Sequence, residues 1–98
     1  MLEKGPLRIR SVAYCFNVKR QACLVCGGID TDAHHLTFAQ PKALAKKVGD
    51  QFTVPLCRTH HNELHLDGIP EKTWWALKGI SPMEWAVKNW TEWEKDSE

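Results

Sequence analysis

Four residues of types that commonly bind zinc occur in this chain as two closely spaced pairs. Cys23 and Cys26 form a C-x2-C pair, and further along the chain Cys57 and His60 form a C-x2-H pair. Structural zinc takes four such ligands in a tetrahedron, and two ligands separated by two residues can be presented from a single turn. The spacing predicts a structural zinc site. His61 is the alternative fourth ligand because it is adjacent to His60, and the two-residue spacing favours His60.

The length and composition of the chain favour metal binding over disulfides. A chain of 98 residues makes one domain, and a domain of this size has a small apolar core. No apolar run approaches the ~20 residues that span a bilayer, and the N-terminus lacks the apolar core of a signal peptide. We therefore expect a cytoplasmic protein with no membrane partner, whose thiols stay reduced. Cys15 lies outside both pairs and is expected to be a buried or unreactive thiol.

The pattern of strand-forming and helix-forming residues predicts a small α+β protein. Two glycines follow the first cysteine pair and favour a tight turn, a zinc knuckle, whereas the second pair is expected where a strand meets a helix. This is the outline of a zinc-stapled treble-clef core. We predict strands at 33–38 and 52–56 and helical segments at 41–48, 58–67, 71–78 and from Pro82 onward, whereas 7–20 could be helix or strand.

The C-terminal third of the chain is rich in tryptophan and predicts a helical cap on that core. Residues 81–84 read Ser-Pro-Met-Glu, a capping box with proline at the first helical position. The apolar stripe of the helix is Met83, Ala86, Val87, Trp90 and Trp93, and Trp85 lies off the stripe and is expected to be exposed. The predicted organisation is one domain, 1–98, with an N-terminal segment 1–20, a metal-binding core 21–68 and a helical cap 69–95.

All five histidines fall in two short stretches, which suggests a second function beside the zinc site. On a helix, His61 and His65 share one face, whereas His60 is rotated by roughly 100° from His61 and can face the zinc. The i, i+4 spacing is also used by zinc-protease helices to hold one ion. Adjacent strand residues point to opposite faces, so we expect His34 and His35 to divide into a metal ligand and a base or orienting group.

Two segments of the chain resemble the HNH endonuclease family. DAHHL, residues 32–36, and GDQFTVPLCRTHHNELH, residues 49–65, are similar to its bacterial and phage branch, which carries C-x2-C, D-x-H-H and PLC-x2-HH-x-E-LH. The downstream TWW, GISP and Trp90 are also similar, so the resemblance covers roughly residues 20–93. It implies a ββα-metal core, in which a strand pair and a helix hold one divalent ion, and hydrolysis of DNA phosphodiester bonds.

The resemblance also implies a role for each residue of the second site. His35 becomes the general base. Asn62 matches the asparagine that helps to hold the metal in some family members, so it competes with His65 as a ligand. The family's base-orienting asparagine has no clear match, and Asp50 is the nearest candidate. The implied ligands of the catalytic ion, which could be Mg²⁺, Mn²⁺, Ni²⁺ or Zn²⁺, are His34, His61 and His65.

The formal net charge of +1 is small for a nucleic-acid-binding protein. DNA would therefore be bound through the metal and local basic residues. The candidate phosphate contacts are Lys42, Lys46, Lys47 and Arg58, for which a solvated basic turn is the alternative interpretation. The leading hypothesis is a metal-dependent HNH-type endonuclease that contains a structural zinc and acts on DNA. Recombination or repair proteins are its candidate protein partners. The alternative is a non-catalytic zinc-binding module for nucleic acid or a protein partner.

Overall fold

The computed structural model of the protein describes residues 9–39 and 48–96. A 3₁₀ turn, Asp50–Phe52, leads directly into the second strand. None of the helices in the described residues has both the length and the apolar character needed to cross a membrane. The α+β class is confirmed. The elements are α1 (Val12–Lys19), β1 (Thr31–His35), β2 (Thr53–Cys57), α2 (Arg58–Leu66), α3 (Glu71–Lys78) and α4 (Pro82–Asp96).

The two strands form an antiparallel sheet that lies beside the turn containing Cys23 and Cys26, which we call the knuckle. Thr31 pairs with Cys57 at one end of the sheet, and His35 pairs with Thr53 at the other. Pro55 lies in the middle of β2, which is tolerated because a strand at a sheet edge need not donate every N–H. The Pro55 carbonyl accepts a hydrogen bond from the backbone N–H of Leu24 at 3.1 Å. This bond holds the knuckle against the strand that ends in Cys57.

Within the segment 7–20, for which the sequence left helix or strand open, residues 12–19 form the helix α1. The Ser11 hydroxyl accepts a hydrogen bond from the Tyr14 N–H at 3.1 Å and so caps α1. Tyr14 and Val18, four residues apart, are fully buried. The Tyr14 ring packs edge-on against Trp90 and Trp93 of α4, with centroid distances of 4.8 and 5.6 Å. Aromatic contacts with α4 therefore stabilise α1 in place.

The apolar core is shared by the sheet and the three C-terminal helices. Trp74 and Trp75 of α3 are buried and pack edge-to-face at 5.1 Å, so these two rings belong to the core. α3 then ends at Gly79, which adopts the left-handed conformation that glycine allows at a helix terminus. The buried members of the core are Cys23, Leu36, Val54, Leu56, Leu64, Trp74, Trp75 and Ala86.

Three local predictions differ from the structure or cannot be compared with it. β1 begins two residues before the predicted 33–38 and ends at His35, because a turn follows in which the Ala39 N–H donates to the Leu36 carbonyl.

Trp85 was expected to be exposed, which is wrong: it is half-buried against the core, whereas Val87 is 53% exposed. The buried face of α4 is centred on Ala86, so Trp85 flanks it. The predicted helical turns at 41–48 lie, up to residue 47, outside the described residues.

Candidate metal centres

The structure brings the two predicted zinc-binding pairs together. The Sγ atoms of Cys26 and Cys57 are 3.8 Å apart, and the Nδ1 atom of His60 is 3.3 Å from Cys57 Sγ and 3.9 Å from Cys23 Sγ. With Zn–S near 2.3 Å and Zn–N near 2.0–2.1 Å, a tetrahedral zinc needs S–S distances of about 3.8 Å and S–N distances of about 3.6 Å. The observed distances are close to these values, so Cys23, Cys26, Cys57 and His60 could hold a metal ion such as zinc. We call these four residues the thiolate cluster. Its histidine is His60, whereas His61, the alternative candidate, belongs to a second group.

Backbone amides of the turn that begins at Cys23 donate hydrogen bonds to the sulfur atoms of Cys23 and Cys26. The N–H of Val25 donates to Cys23 Sγ and the N–H of Gly28 donates to Cys26 Sγ, both at 3.4 Å. Burial raises the pKa of the Cys23 thiol, but hydrogen bonds from backbone N–H groups, first that of Cys57, outweigh burial and lower this pKa to about 6. The Gly28 N–H lowers the pKa of Cys26, but burial and the hydrogen bonds with Cys57 and Cys23 outweigh it and raise this pKa. Since the thiolate is the form that binds metal, Cys23 is the cysteine of this pair that its surroundings favour for the task.

The structure also brings together three of the remaining histidines. His34 is buried in β1, and its Nδ1 atom lies 3.2 Å from the Nε2 atom of His61 on α2. His65 lies one helical turn beyond His61, with ring centroids 4.9 Å apart. Ring nitrogens of all three lie within 4.8 Å of one another, so this histidine cluster could hold a metal ion. His65 and Asn62, the candidate that competed with it, are both exposed on α2.

Two carboxylates hydrogen-bond rings of the histidine cluster, each through the ring nitrogen that points away from the other histidines. Glu71 Oε2 lies 2.7 Å from His34 Nε2, and Asp32 Oδ2 lies 3.1 Å from His61 Nδ1. Each ring thus uses one nitrogen for a carboxylate and turns the other toward the cluster. Such carboxylate–histidine pairs commonly orient metal-binding imidazoles. Neither residue was predicted, although the D-x-H-H motif contains Asp32; no local pattern marks Glu71, which is 37 residues from His34.

The environment keeps both of these carboxylates ionised. Burial raises the pKa of Glu71, but hydrogen bonds from His34 and Thr37 outweigh it and lower this pKa to about 2. Hydrogen bonds from Arg58, first, and from His61 lower the pKa of Asp32. An ionised carboxylate can only accept hydrogen bonds, so each imidazole nitrogen that faces one carries a proton.

His35, the predicted general base, is paired with Asp50. His35 Nε2 lies 2.8 Å from Asp50 Oδ1, and the other carboxylate oxygen accepts the Ser11 N–H at 2.7 Å. The His35 side chain remains 42% exposed. Burial raises the pKa of Asp50, but its hydrogen bonds, first that from His35, outweigh burial and lower it. The structure therefore gives Asp50 the contact that orients His35.

The fourth cysteine is a protonated thiol near this pair. Burial, and then the negative charge of Asp50, raise the pKa of Cys15 to about 11. A thiol with this pKa is almost entirely protonated at neutral pH and is a weak nucleophile. Cys15 is free and lies outside the thiolate cluster.

The candidate phosphate-binding residues are placed only in part. Arg58 is 74% exposed, and its Nε and Nη2 atoms donate to Asp32 at 3.1 and 3.3 Å. Its charge is therefore already shared with the carboxylate that holds His61. Lys42, Lys46 and Lys47 lie outside the described residues.

Fold and site together define a small α+β protein in which two groups of cysteine and histidine side chains could hold metal ions. The chain belongs to the DUF968 family, described as proteins of unknown function, whose family model matches residues 2–86. It is 46% identical over 68 residues to "Uncharacterized protein YdfU" of Escherichia coli (strain K12). The match covers 67% of this chain and 20% of that relative, so the chain spans about one fifth of the relative's length. No solved structure matches the chain.

Proposed function

We propose that this protein is a metal-dependent endonuclease of the HNH type that hydrolyses DNA phosphodiester bonds. The observation that carries the proposal is the hydrogen bond between His35 and Asp50. His35 directly follows His34 of the histidine cluster in the sequence. In this proposal β1, β2 and α2 form a ββα-metal core of treble-clef type. The thiolate cluster holds a structural zinc, and the histidine cluster holds the catalytic divalent ion.

The donor set of the histidine cluster indicates which ions to expect. It presents imidazole nitrogens from His34, His61 and His65. Imidazole suits Zn²⁺ and Ni²⁺, whereas Mg²⁺ prefers oxygen ligands. Of Mg²⁺, Mn²⁺, Ni²⁺ and Zn²⁺, we therefore expect the transition metals to bind more tightly than Mg²⁺. When bound, such an ion would stabilise negative charge on the phosphate and on the leaving oxygen.

His35 has the contacts and exposure that a general base needs. Asp50 is ionised and accepts the hydrogen bond from His35 Nε2, so in the neutral ring the proton sits on Nε2 and Nδ1 is free to accept. A neutral imidazole can take the proton of an attacking water near physiological pH. The exposed fraction of the ring leaves room for the water and the phosphate to approach.

Plasmid nicking tests the proposal directly. Zinc-loaded protein is incubated with supercoiled plasmid and added Mg²⁺, Mn²⁺, Ni²⁺ or Zn²⁺, with His35→Ala in parallel. We expect nicking that requires added metal and that falls by at least about 100-fold in the variant, since a general base commonly contributes 10²–10⁴-fold. Circular dichroism and zinc content of the variant establish that it is folded. Failure of folded wild type to nick with any ion, or equal nicking by His35→Ala, would contradict the proposal.

A second candidate is a non-catalytic zinc-binding module for nucleic acid or a protein partner. It is favoured by the net charge of +1 and by the pairing of Arg58 with Asp32, which both limit the attraction of a long phosphate backbone. Recombination or repair proteins would be suitable partners under either proposal. The same plasmid experiment distinguishes the two candidates. A binding module would leave the plasmid supercoiled, whether or not it bound the DNA and slowed its migration on a gel.

A further inference from the structure

Glu71 of α3 accepts hydrogen bonds on both oxygens. Oε2 accepts from His34 Nε2 at 2.7 Å and from Trp75 Nε1 at 3.0 Å. Oε1 accepts from the backbone N–H and the hydroxyl of Thr37, at 3.2 and 2.6 Å. The side chain is only 7% exposed. Its carboxylate is therefore held in one orientation by three residues from two parts of the chain.

This orientation determines which nitrogen of His34 faces the histidine cluster. Because Glu71 only accepts, the His34 Nε2 atom must donate, and in the neutral ring this leaves Nδ1 without a proton. Nδ1 is the nitrogen that lies 3.2 Å from His61 Nε2. The tautomer imposed by Glu71 is thus the one that directs a lone pair toward the other histidines.

We propose that Glu71 is a positioning residue of the histidine metal site, which sets the tautomer and ring orientation of His34 and so raises the affinity of the cluster for a divalent ion. The inference rests on the proposed function, since it assumes that the histidine cluster holds an ion. It extends the site to α3, a helix outside the strand pair and helix that supply the ligands.

Two variants, Glu71→Gln and its matched control Thr37→Val, distinguish the positioning role from a purely structural role of Glu71. Glu71→Gln keeps the size of the side chain but replaces one acceptor oxygen with a donor group and removes the charge. Thr37→Val keeps the shape of an exposed residue and removes only its hydroxyl, so the contact between Glu71 and His34 remains. If Glu71 served only to tie α3 to the residues after β1, both variants would have similar effects.

Cobalt titration measures the effect at the histidine site alone. The thiolate cluster is first filled with zinc, and Co²⁺ is then titrated against a chelator while the d–d absorption of nitrogen-bound cobalt is followed. We expect Glu71→Gln to bind Co²⁺ about 10–100-fold more weakly, as is usual when a partner of a metal-binding histidine is lost. Thr37→Val should weaken Co²⁺ binding less than Glu71→Gln does, because the Thr37 N–H still donates to Glu71 and the contact with His34 remains. The absence of thiolate-to-cobalt charge transfer establishes that the zinc remains in its own site.

The outcomes distinguish this inference from the proposed function. Unchanged Co²⁺ affinity in Glu71→Gln, or equal losses in Glu71→Gln and Thr37→Val, overturns the positioning role while leaving the nuclease proposal in place. Failure of wild type to bind Co²⁺ at the histidines overturns both. A measurement on wild type needs no variant: ¹⁵N spectra of the zinc-loaded protein should show His34 protonated at Nε2 and metal-bound at Nδ1. Metal on Nε2 would overturn the inference.

Discussion

At the scale of single residues, a carboxylate partner differentiates histidines that look alike in the sequence. His34, His35 and His61 each hydrogen-bond a carboxylate, but the first and third turn their other nitrogen toward the histidine cluster. His35 instead keeps a large exposed fraction and is held by Asp50. The three rings are chemically identical. Their different proposed roles, as metal ligand or as general base, therefore come from the position and the carboxylate partner of each ring.

Asp50→Asn tests the orienting contact of His35. Asparagine keeps the size of the side chain but removes the charge, and its amide can present a donor to the ring. We expect plasmid nicking to fall by roughly 10–100-fold, a part of what a general base contributes. Ser11→Ala is the control: it removes the cap of α1, at about 1 kcal/mol, and leaves the contact between Asp50 and His35. Equal nicking by Asp50→Asn and wild type, or an equal loss in Ser11→Ala, would refute the orienting role.

At the scale of secondary structure, α2 is the element that serves both clusters. It begins directly after Cys57 and carries His60 for the thiolate cluster, then His61 and His65 for the histidine cluster. Consecutive residues on a helix are rotated by about 100°, so one helix can present adjacent histidines to two different sites. The helix is held against the core by Leu64, its buried residue. Packing of this one side chain should therefore affect the geometry of both sites.

Leu64→Ala tests the anchoring of α2. Removing a buried leucine side chain leaves a cavity, and we expect the free energy of unfolding to fall by about 2–5 kcal/mol. Leu66→Ala on the same helix is the matched control, because Leu66 is 82% exposed and its loss should change stability by no more than about 0.5 kcal/mol. Urea unfolding of the zinc-loaded proteins measures both. Similar values for the two variants would show that α2 is not anchored through Leu64.

At the scale of the whole molecule, the thiolate cluster brings together residues from two distant parts of the chain. It links the knuckle between α1 and β1 to the junction of β2 and α2. A domain of about 100 residues has a modest apolar core, and small zinc domains commonly depend on their metal for folding. Under the proposed function, we therefore expect a zinc ion at the thiolate cluster to contribute to global stability and an ion at the histidine cluster to contribute mainly to activity.

Cys57→Ser tests this dependence. The variant should lose its zinc and unfold at a temperature at least about 10 °C lower, which corresponds to roughly 2 kcal/mol in a domain of this size. Cys15→Ser is the control, since Cys15 lies outside the cluster and should keep wild-type zinc content with a melting temperature close to wild type. Calorimetry and metal analysis of both proteins provide the measurement. Retention of zinc and of the melting temperature in Cys57→Ser would contradict the assignment.

Features that depend on short-range spacing could be predicted from the amino-acid sequence alone. The C-x2-C and C-x2-H pairs, the i, i+4 histidines of α2 and the capping sequence before α4 indicated the ligand candidates and the main elements, because turns and helices present nearby residues in a set geometry. Contacts between distant segments became visible only in the folded chain: α1 is a helix packed on α4, and Glu71 contacts His34. The fold also places Asp50, which the family resemblance had only suggested, in contact with His35. Such contacts arise from packing around a shared core, and local sequence periodicity carries no information about them.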